Sequence, residues 1–452
     1  MLQWVLNAVG IDAGITSSIM VWVGVAVILG VVYFLIKQKE TRLVLISAGF
    51  LLCFLSINPM NAFAAFEKSM TTAGLIKTIL SVMGFAYVMK LTKCDAHLVN
   101  LMVGALSNVR LFIVPGVVIV TAVINVALSS AAGVSAAIGA IMIPLMMSLG
   151  VHPAVAGAAV MGGTFGSMFS PGLSHNAYIA TELIKDNNVM AVIGTHWHAS
   201  LAAVLIGAVC LTVFAVLRKE TSGYVPDEAH KVADLEKPKI LFAVIPMIPV
   251  VLLAFSALIS GKAAPEWGKT LLTYIPWFKS LSVPAAMLIG AFLGLAATRS
   301  NPTAVTKEFF KGMGDAYGSV MGIIIAAGVF VAGMQSVGLV DALIDALKNS
   351  TSLAKYAAAY GPFFLAIITG SGDAATLAFN GAVTPHAEQF GMGIAQMGSL
   401  ATLGGCLGRT MSPLAGAAIV CAGLAGVNPL EIAKRQAPGM IIAVTVCMLM
   451  LG

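Results

Sequence analysis

One unusual stretch of sequence occurs twice in this chain. The first copy reads Ser129-Ser130-Ala131-Ala132-Gly133, then Pro144, Gly150 and Gly162-Gly163-Thr164-Phe165-Gly166, ending at Ser170-Pro171. The second reads Thr369-Gly370-Ser371-Gly372-Asp373, then Pro385, Gly391 and Gly404-Gly405-Cys406-Leu407-Gly408, ending at Ser412-Pro413. Ser130/Ser371, Pro144/Pro385 and Gly150/Gly391 share one spacing; the double glycines, Gly166/Gly408 and the Ser-Pro pairs share another, one residue longer. Glycine, serine and proline interrupt helices, and hydrocarbon tolerates freed backbone groups only where protein or a water-filled cavity surrounds them. Paired interruptions in corresponding halves of an apolar chain point to a midplane binding site of a secondary transporter.

Composition sets the solvent. The 452 residues are 59% hydrophobic and 10% charged, with a mean hydropathy of +0.96. Soluble domains carry about 25% charged residues, so a water-soluble fold is excluded. The formal charge of +6 is scattered over short loops, which reports membrane orientation and not nucleic-acid binding. Cys53, Cys94, Cys210, Cys406, Cys421 and Cys447 lie mostly in apolar runs without CxxC spacing. They read as small buried hydrophobes, neither disulfide framework nor metal site, and no cofactor is expected. The first residues hold Trp4 and Asp12 but no lysine or arginine, unlike a secretory signal peptide.

Spans of about 20 apolar residues fall near 18–37, 42–57, 72–92, 195–217, 240–260, 281–298, 316–337 and 435–452. The stretches 154–184 and 394–424 each carry the Ser-Pro break near the middle and are expected to be broken helices. The segments 110–150 and 354–392 flank a small polar centre and are expected to be re-entrant hairpins. The expected fold is therefore all-α and polytopic, with a first repeat over 1–217, a cytoplasmic linker over 218–239 and a second repeat over 240–452. Each repeat has five crossings and one hairpin. An odd number of crossings inverts the second repeat relative to the first.

Lysine and arginine placement agrees with that topology. With the N-terminus outside, the cytoplasmic side collects residues such as Lys37, Arg42, Lys90, Arg110, Arg218, Lys231, Arg299 and Arg435. The outer side receives Lys68, Lys185, Lys262, Lys269, Lys279, Lys348 and Lys355. The full bias is about two to one in the expected direction. Trp267, Tyr274 and Trp277 are expected to anchor an outer interface.

Arg409 is the charge of greatest interest, because it lies in the break of a crossing. An arginine at a helix centre costs about 2.5–3.5 kcal/mol on insertion scales, so it needs a partner. Its planar fork suits a substrate carboxylate; a permanent pair with an acid such as Asp373 and an interfacial snorkelling position are the alternatives. Asp373 itself has three readings: partner of Arg409, proton carrier or cation ligand. The hydroxyls of Ser129, Ser130, Thr369, Ser371, Ser170, Ser412 and Thr410, with Gly372, flank the breaks, where half-helix ends offer N–H groups to an anion or carbonyls to Na+. Ser130, Ser371 and Asp373 are the candidate ion-coupling groups. Serines that only satisfy freed backbone are the competing reading. His175 and Asn176, just after Ser170-Pro171, are further substrate-site candidates, although a lone membrane histidine more often packs. His196-Trp197-His198 is expected to be interfacial. No HExxH, Walker A or GxSxG pattern occurs, so no enzyme is expected.

The run Gly408-Arg409-Thr410-Met411-Ser412-Pro413, continuing through Gly423, Asn428-Pro429-Leu430-Glu431 and Lys434-Arg435, resembles the C-terminal signature of DcuC-type C4-dicarboxylate transporters. The two tip sequences, Ser129 to Gly133 and Thr369 to Asp373, are similar to that family's hairpin tips. The resemblance implies membership of the ion transporter superfamily, a scaffold holding a moving transport domain, and a homodimer working as an elevator. It also implies uptake, efflux or exchange of a small dicarboxylate (fumarate, succinate, malate or aspartate) in a bacterial inner membrane; the residues leave Na+ and H+ coupling both open. One departure stands out: Gly172-Leu173-Ser174-His175-Asn176 occupies a segment where the family tends to carry an acid. A paralogous carrier of another carboxylate, or an anion channel, are the rival functions. An intramembrane enzyme built on His175, His196 and His198 lacks a catalytic constellation.

Overall fold

The computed structural model describes residues 13–37, 39–71, 73–106, 113–225, 237–260, 264–348 and 351–452. Residues 1–12, Arg110, Pro226, Lys231 and Lys262 lie outside the described residues.

Every regular element among the described residues is helical. The chain opens with α1 (Ala13–Ile36), α2 (Thr41–Leu55), α3 (Pro59–Met70), α4 (Ala73–Leu91) and α5 (Cys94–Leu106). Then come α6 (Ile113–Ala127), α7 (Ala131–Ser148) and α8 (Pro153–Gly163), the last continued as a 3-10 turn over Thr164–Phe169. After a break, α9 (Ser174–Tyr178) runs into a π-helical turn, Ile179–Ile184, and α10 (Val189–Leu217) follows. The second part holds α11 (Ile240–Val244), α12 (Ile248–Ser260), α13 (Glu266–Tyr274), α14 (Val283–Thr298) and α15 (Pro302–Ala316). A second π-helical turn, Tyr317–Met321, joins α15 to α16 (Gly322–Ser336). Next are α17 (Leu339–Lys348), α18 (Thr351–Thr369) and α19 (Gly372–Ala382), with a 3-10 extension at Thr384–Phe390. The chain ends with α20 (Ile394–Thr410), α21 (Gly416–Ala425) and α22 (Pro429–Leu451).

Six helical stretches among the described residues are long and apolar enough to cross a bilayer. A seventh is counted if Thr384–Phe390 and Ile394–Thr410, bent by 119°, form one span. The chain is a multi-pass membrane protein. Trp267, Tyr274 and Trp277 are all exposed.

Local chemistry places the breaks. Ser130 Oγ accepts the Gly133 N–H at 3.2 Å and starts α7, while Ser371 Oγ accepts the Ala374 N–H at 3.1 Å and starts α19. Both are helix N-caps, which satisfy amides that a helix leaves without intrahelical partners. Asn428 caps α22 in the same way, with Pro429 in the first turn. Gly370 turns the chain before α19 at φ +74°, and a Cβ there would stand 2.7 Å from the Leu414 backbone. Only glycine meets both conditions.

The repeated glycines have a packing reason. A Cβ on Gly166 would lie 2.2 Å from the Ala122 carbonyl oxygen, and one on Gly408 would lie 2.1 Å from that of Phe363. Each glycine therefore brings a broken helix into backbone contact with a neighbour: α8 and its extension on α6, and α20 on α18. The remaining helices surround these pairs. α4 packs on α14 and α15, α2 and α3 pack on α16, and α10 packs along α22. The largest buried cluster joins α2, α16, α18, α20 and α22 through residues such as Leu52, Phe330, Phe363, Leu403 and Met440.

One buried ion cluster ties the loop after α10 to α22. Arg435 is 4% exposed; its Nε donates to Glu220 Oε2 at 2.9 Å and its Nη2 to Glu220 Oε1 at 2.6 Å. A third bond runs from Nη1 to Glu431 Oε2 at 3.0 Å. Burial pushes the Glu220 carboxyl upward, but the hydrogen bonds and charge of Arg435 outweigh it and hold it below its ordinary range.

Candidate functional site

The ends of four interrupted segments meet at one cavity of about 300 Å³. Ser129 to Ala132 reach it from the α6–α7 break, and Gly172 to Ser174 from the entrance to α9. Asp373 comes from the first turn of α19, Arg409 from the last turn of α20, and Gly416 and Ala417 from the start of α21. Ile79 and Met83 of α4, with Ser319 and Val320 of the second π-helical turn, form the facing wall.

Two helix N-termini converge here. A Cβ built on Gly416 would lie 3.9 Å from the Ala132 Cβ, so α7 and α21 begin side by side. No side chain caps α21. Its first N–H groups, like those of α7, carry a partial positive charge toward the cavity. Arg409 adds a full charge. Its Nη2 donates to the Thr164 carbonyl at 3.2 Å, while Nε is buried without a hydrogen-bond partner among the described residues. No carboxylate stands within ion-pair distance of it among the described residues, so the permanent pair with Asp373 is not formed.

Asp373 has other partners. Ser174 Oγ donates to Asp373 Oδ1 at 3.0 Å, and His175 Nε2 stands 2.8 Å from the same oxygen. That second contact is close enough for an ion pair but is turned out of line, so Nε2 completes no hydrogen bond. The His175 ring is buried with Nδ1 3.9 Å from Cys406 Sγ, whereas the Asp373 side chain is 43% exposed to the cavity.

Of the residues singled out from sequence, Ser129, Ser130, Asp373 and Arg409 line the cavity, and His175 stands directly behind Asp373. The others hold the breaks in shape. Ser170 Oγ accepts the Gly172 N–H at 3.1 Å, and Ser371 caps α19. Thr410 donates to the Cys406 carbonyl at 2.8 Å, and Ser412 to the Ile367 carbonyl at 2.7 Å. Gly372 packs against the Gly405 carbonyl and Arg409 Cβ. Asn176 points into the protein, donating to the Met168 carbonyl at 2.9 Å with its Oδ1 3.2 Å from His196 Nε2. His196 is fully buried and bonded to Asn176 and Ser200, while Trp197 and His198 beside it are exposed and stacked.

Several participants escape sequence reasoning. Ser174 and Ser319 are cavity residues, each a hydroxyl within two residues of a glycine, Gly172 or Gly318. Asn125, alone among valines and isoleucines, is fully buried. It accepts the Ser167 N–H at 2.8 Å and donates to the Leu128 carbonyl at 2.8 Å, clamping the α6–α7 break to the extension of α8.

A second cavity, of about 290 Å³, lies one helical turn along the same three elements. Tyr178, Leu377 and Ile324 line it where Ser174, Asp373 and Val320 line the first. Lys68, Glu182 and Gln335 give it polar walls. Ala177, Leu377, Met321, Ile324 and Ile79 belong to one apolar cluster between the two cavities.

Helices broken at a shared polar cavity, in a chain with several membrane spans, define a membrane transporter. The fold resembles that of the Alcanivorax borkumensis YdaH transporter, with a TM-score of 0.58 at 15% identity over 86% of each chain. It also resembles Neisseria gonorrhoeae MtrF, with a TM-score of 0.57 at 14% identity over 87% of this chain and 82% of that one. The chain belongs to the DcuC family, described as C4-dicarboxylate anaerobic carrier, whose model matches residues 23–452. An uncharacterized Haemophilus influenzae protein named as a transporter is 44% identical over 61% of this chain and 97% of its own length. A Vibrio cholerae protein named for anaerobic C4-dicarboxylate transport is 29% identical over 49% of this chain and 48% of its own length.

Proposed function

We propose that this protein is a secondary active carrier of small dicarboxylates such as fumarate, succinate, malate or aspartate, in a bacterial inner membrane. Arg409 binds one carboxylate through its guanidinium, and the N–H groups at the starts of α7 and α21, with Ser129 and Ser130, bind the other. The observation that carries this reading is the Arg409 guanidinium, whose Nε lacks a hydrogen-bond partner among the described residues, sharing one cavity with the converging starts of α7 and of the uncapped α21. A dianion supplies the acceptors that these donors lack.

Two inverted repeats account for the paired breaks. In this reading, α6–α7 and α18–α19 are hairpins entering from opposite sides, and α8–α9 and α20–α21 are the broken crossings. The matching contacts of α8 on α6 and α20 on α18 support the pairing. The unit carrying the breaks slides past α2–α4 and α14–α16 as an elevator, in a homodimer, and the two stacked cavities mark successive positions of exposure. Exchange and cation-coupled transport both fit this arrangement.

Transport of labelled succinate into proteoliposomes tests the proposal. Saturable uptake, competed by fumarate and lost in Arg409→Ala, is the expected result. Unchanged apparent affinity in that variant refutes the assignment. Counterflow separates a carrier from an anion channel: external succinate drives labelled succinate out of loaded vesicles only in a carrier.

A further inference from the structure

Arg409 and Asp373 are neighbours that do not pair. A Cβ built on Gly372 would lie 3.4 Å from the Arg409 Cβ, so the two charged side chains leave adjoining turns of packed helices. Both reach the same cavity. Opposite charges on adjoining turns attract, and an arginine fork fits a carboxylate with two hydrogen bonds. Among the described residues, Arg409 nevertheless donates only to the Thr164 carbonyl, and Asp373 turns toward Ser174 and His175.

The His175 ring has no other evident employment. It is 1% exposed, and its second nitrogen faces only Cys406 Sγ at 3.9 Å. Among the helices packed around it, α20 carries Cys406 and Arg409, α19 carries Asp373, and α10 carries His196, which is engaged with Asn176 and Ser200. A carboxylate tethered in the same cavity competes with substrate at high effective concentration. Left free, Asp373 would occupy the fork that a substrate needs.

We propose that His175 is a positioning residue: together with the Ser174 hydroxyl it holds the Asp373 carboxylate away from Arg409, keeping the guanidinium open for a substrate carboxylate. This inference rests on the reading of Arg409 as the carboxylate-binding residue. It gives the departure at Gly172 to Asn176 a role, because both tethers, Ser174 and His175, lie within that segment.

The test is a double-mutant series on the purified full-length protein, reading succinate Kd by calorimetry and KM in proteoliposomes. His175→Ala is expected to raise the succinate Kd about tenfold or more, the worth of a charge-assisted pair. Adding Asp373→Asn is expected to return it to within about threefold of the Asp373→Asn single variant. Ser174→Ala should shift affinity in the same direction and be reversed by the same second change. That pair decides the matter if His175→Ala does not fold. Unchanged affinity in both tether variants, or a loss that Asp373→Asn does not reverse, overturns the proposal. Unchanged affinity in Arg409→Ala instead overturns the underlying reading, whereas loss in Arg409→Ala without any rescue sinks only the role of His175.

Discussion

Ser174 and Tyr178 stand one helical turn apart and line different cavities. The same step separates Asp373 from Leu377 and Val320 from Ile324, so three elements carry the two chambers in register. One apolar cluster includes Ile79 at the first cavity and Leu377 and Ile324 at the second. Single cysteines at Ser129 and Gly381, in a background without native cysteines, should react with a membrane-impermeant maleimide from opposite faces of oriented vesicles. Substrate should protect the first. Labelling of both from one side would contradict the alternating-access reading.

Removing the Arg409 charge should affect binding more than folding, since the hydrogen bond it makes among the described residues is to a backbone carbonyl. Arg409→Ala is expected to weaken succinate binding by about 10- to 100-fold, from the loss of charge-assisted hydrogen bonds. Calorimetry checks the affinity, and thermal unfolding in detergent should show little change. Arg409→Lys should recover part of the binding, because it restores charge but not the fork.

Gly408→Ala should destabilise the protein by about 1–3 kcal/mol or more, because the new methyl would press on the Phe363 carbonyl. Gly423→Ala is the matched control. It lies inside α21 with nothing within 4 Å of the added Cβ, and should be neutral or slightly stabilising. Melting temperatures in one detergent give the comparison.

Acid should loosen the junction of α22 with the loop after α10. The Glu220 pKa is lower in the folded protein than in the unfolded chain, so its contribution is full above the unfolded value. That contribution disappears as pH falls through the folded value. Glu220→Gln is expected to cost about 3 kcal/mol at neutral pH, by leaving Arg435 buried with Glu431 alone. The variant should also show a flatter acid limb in a plot of melting temperature against pH.

The membrane character and the positions of the interruptions were legible in the chain because their causes are local. Ser130 and Ser371 cap the helices that follow them whatever lies nearby, and Gly370 turns a backbone that a side chain would block. Long apolar runs require a bilayer. Partner choice is not local. Asp373 is held by Ser174, 199 residues away in sequence, and passes over the closer Arg409. His196 followed a simple rule for aromatic, polar helix ends and proved to be buried, because Asn176 and Ser200 satisfy both ring nitrogens.

Sequence by itself determined that this chain lives in lipid, where its helices stop, and that two sets of stops match. Only the tertiary structure decided which ends meet, which charge is left open and which is tied away. The reason is physical: helix termination depends on a residue and its immediate neighbours, whereas pairing in a low-dielectric cavity depends on angstrom-scale distances between helices that packing alone sets.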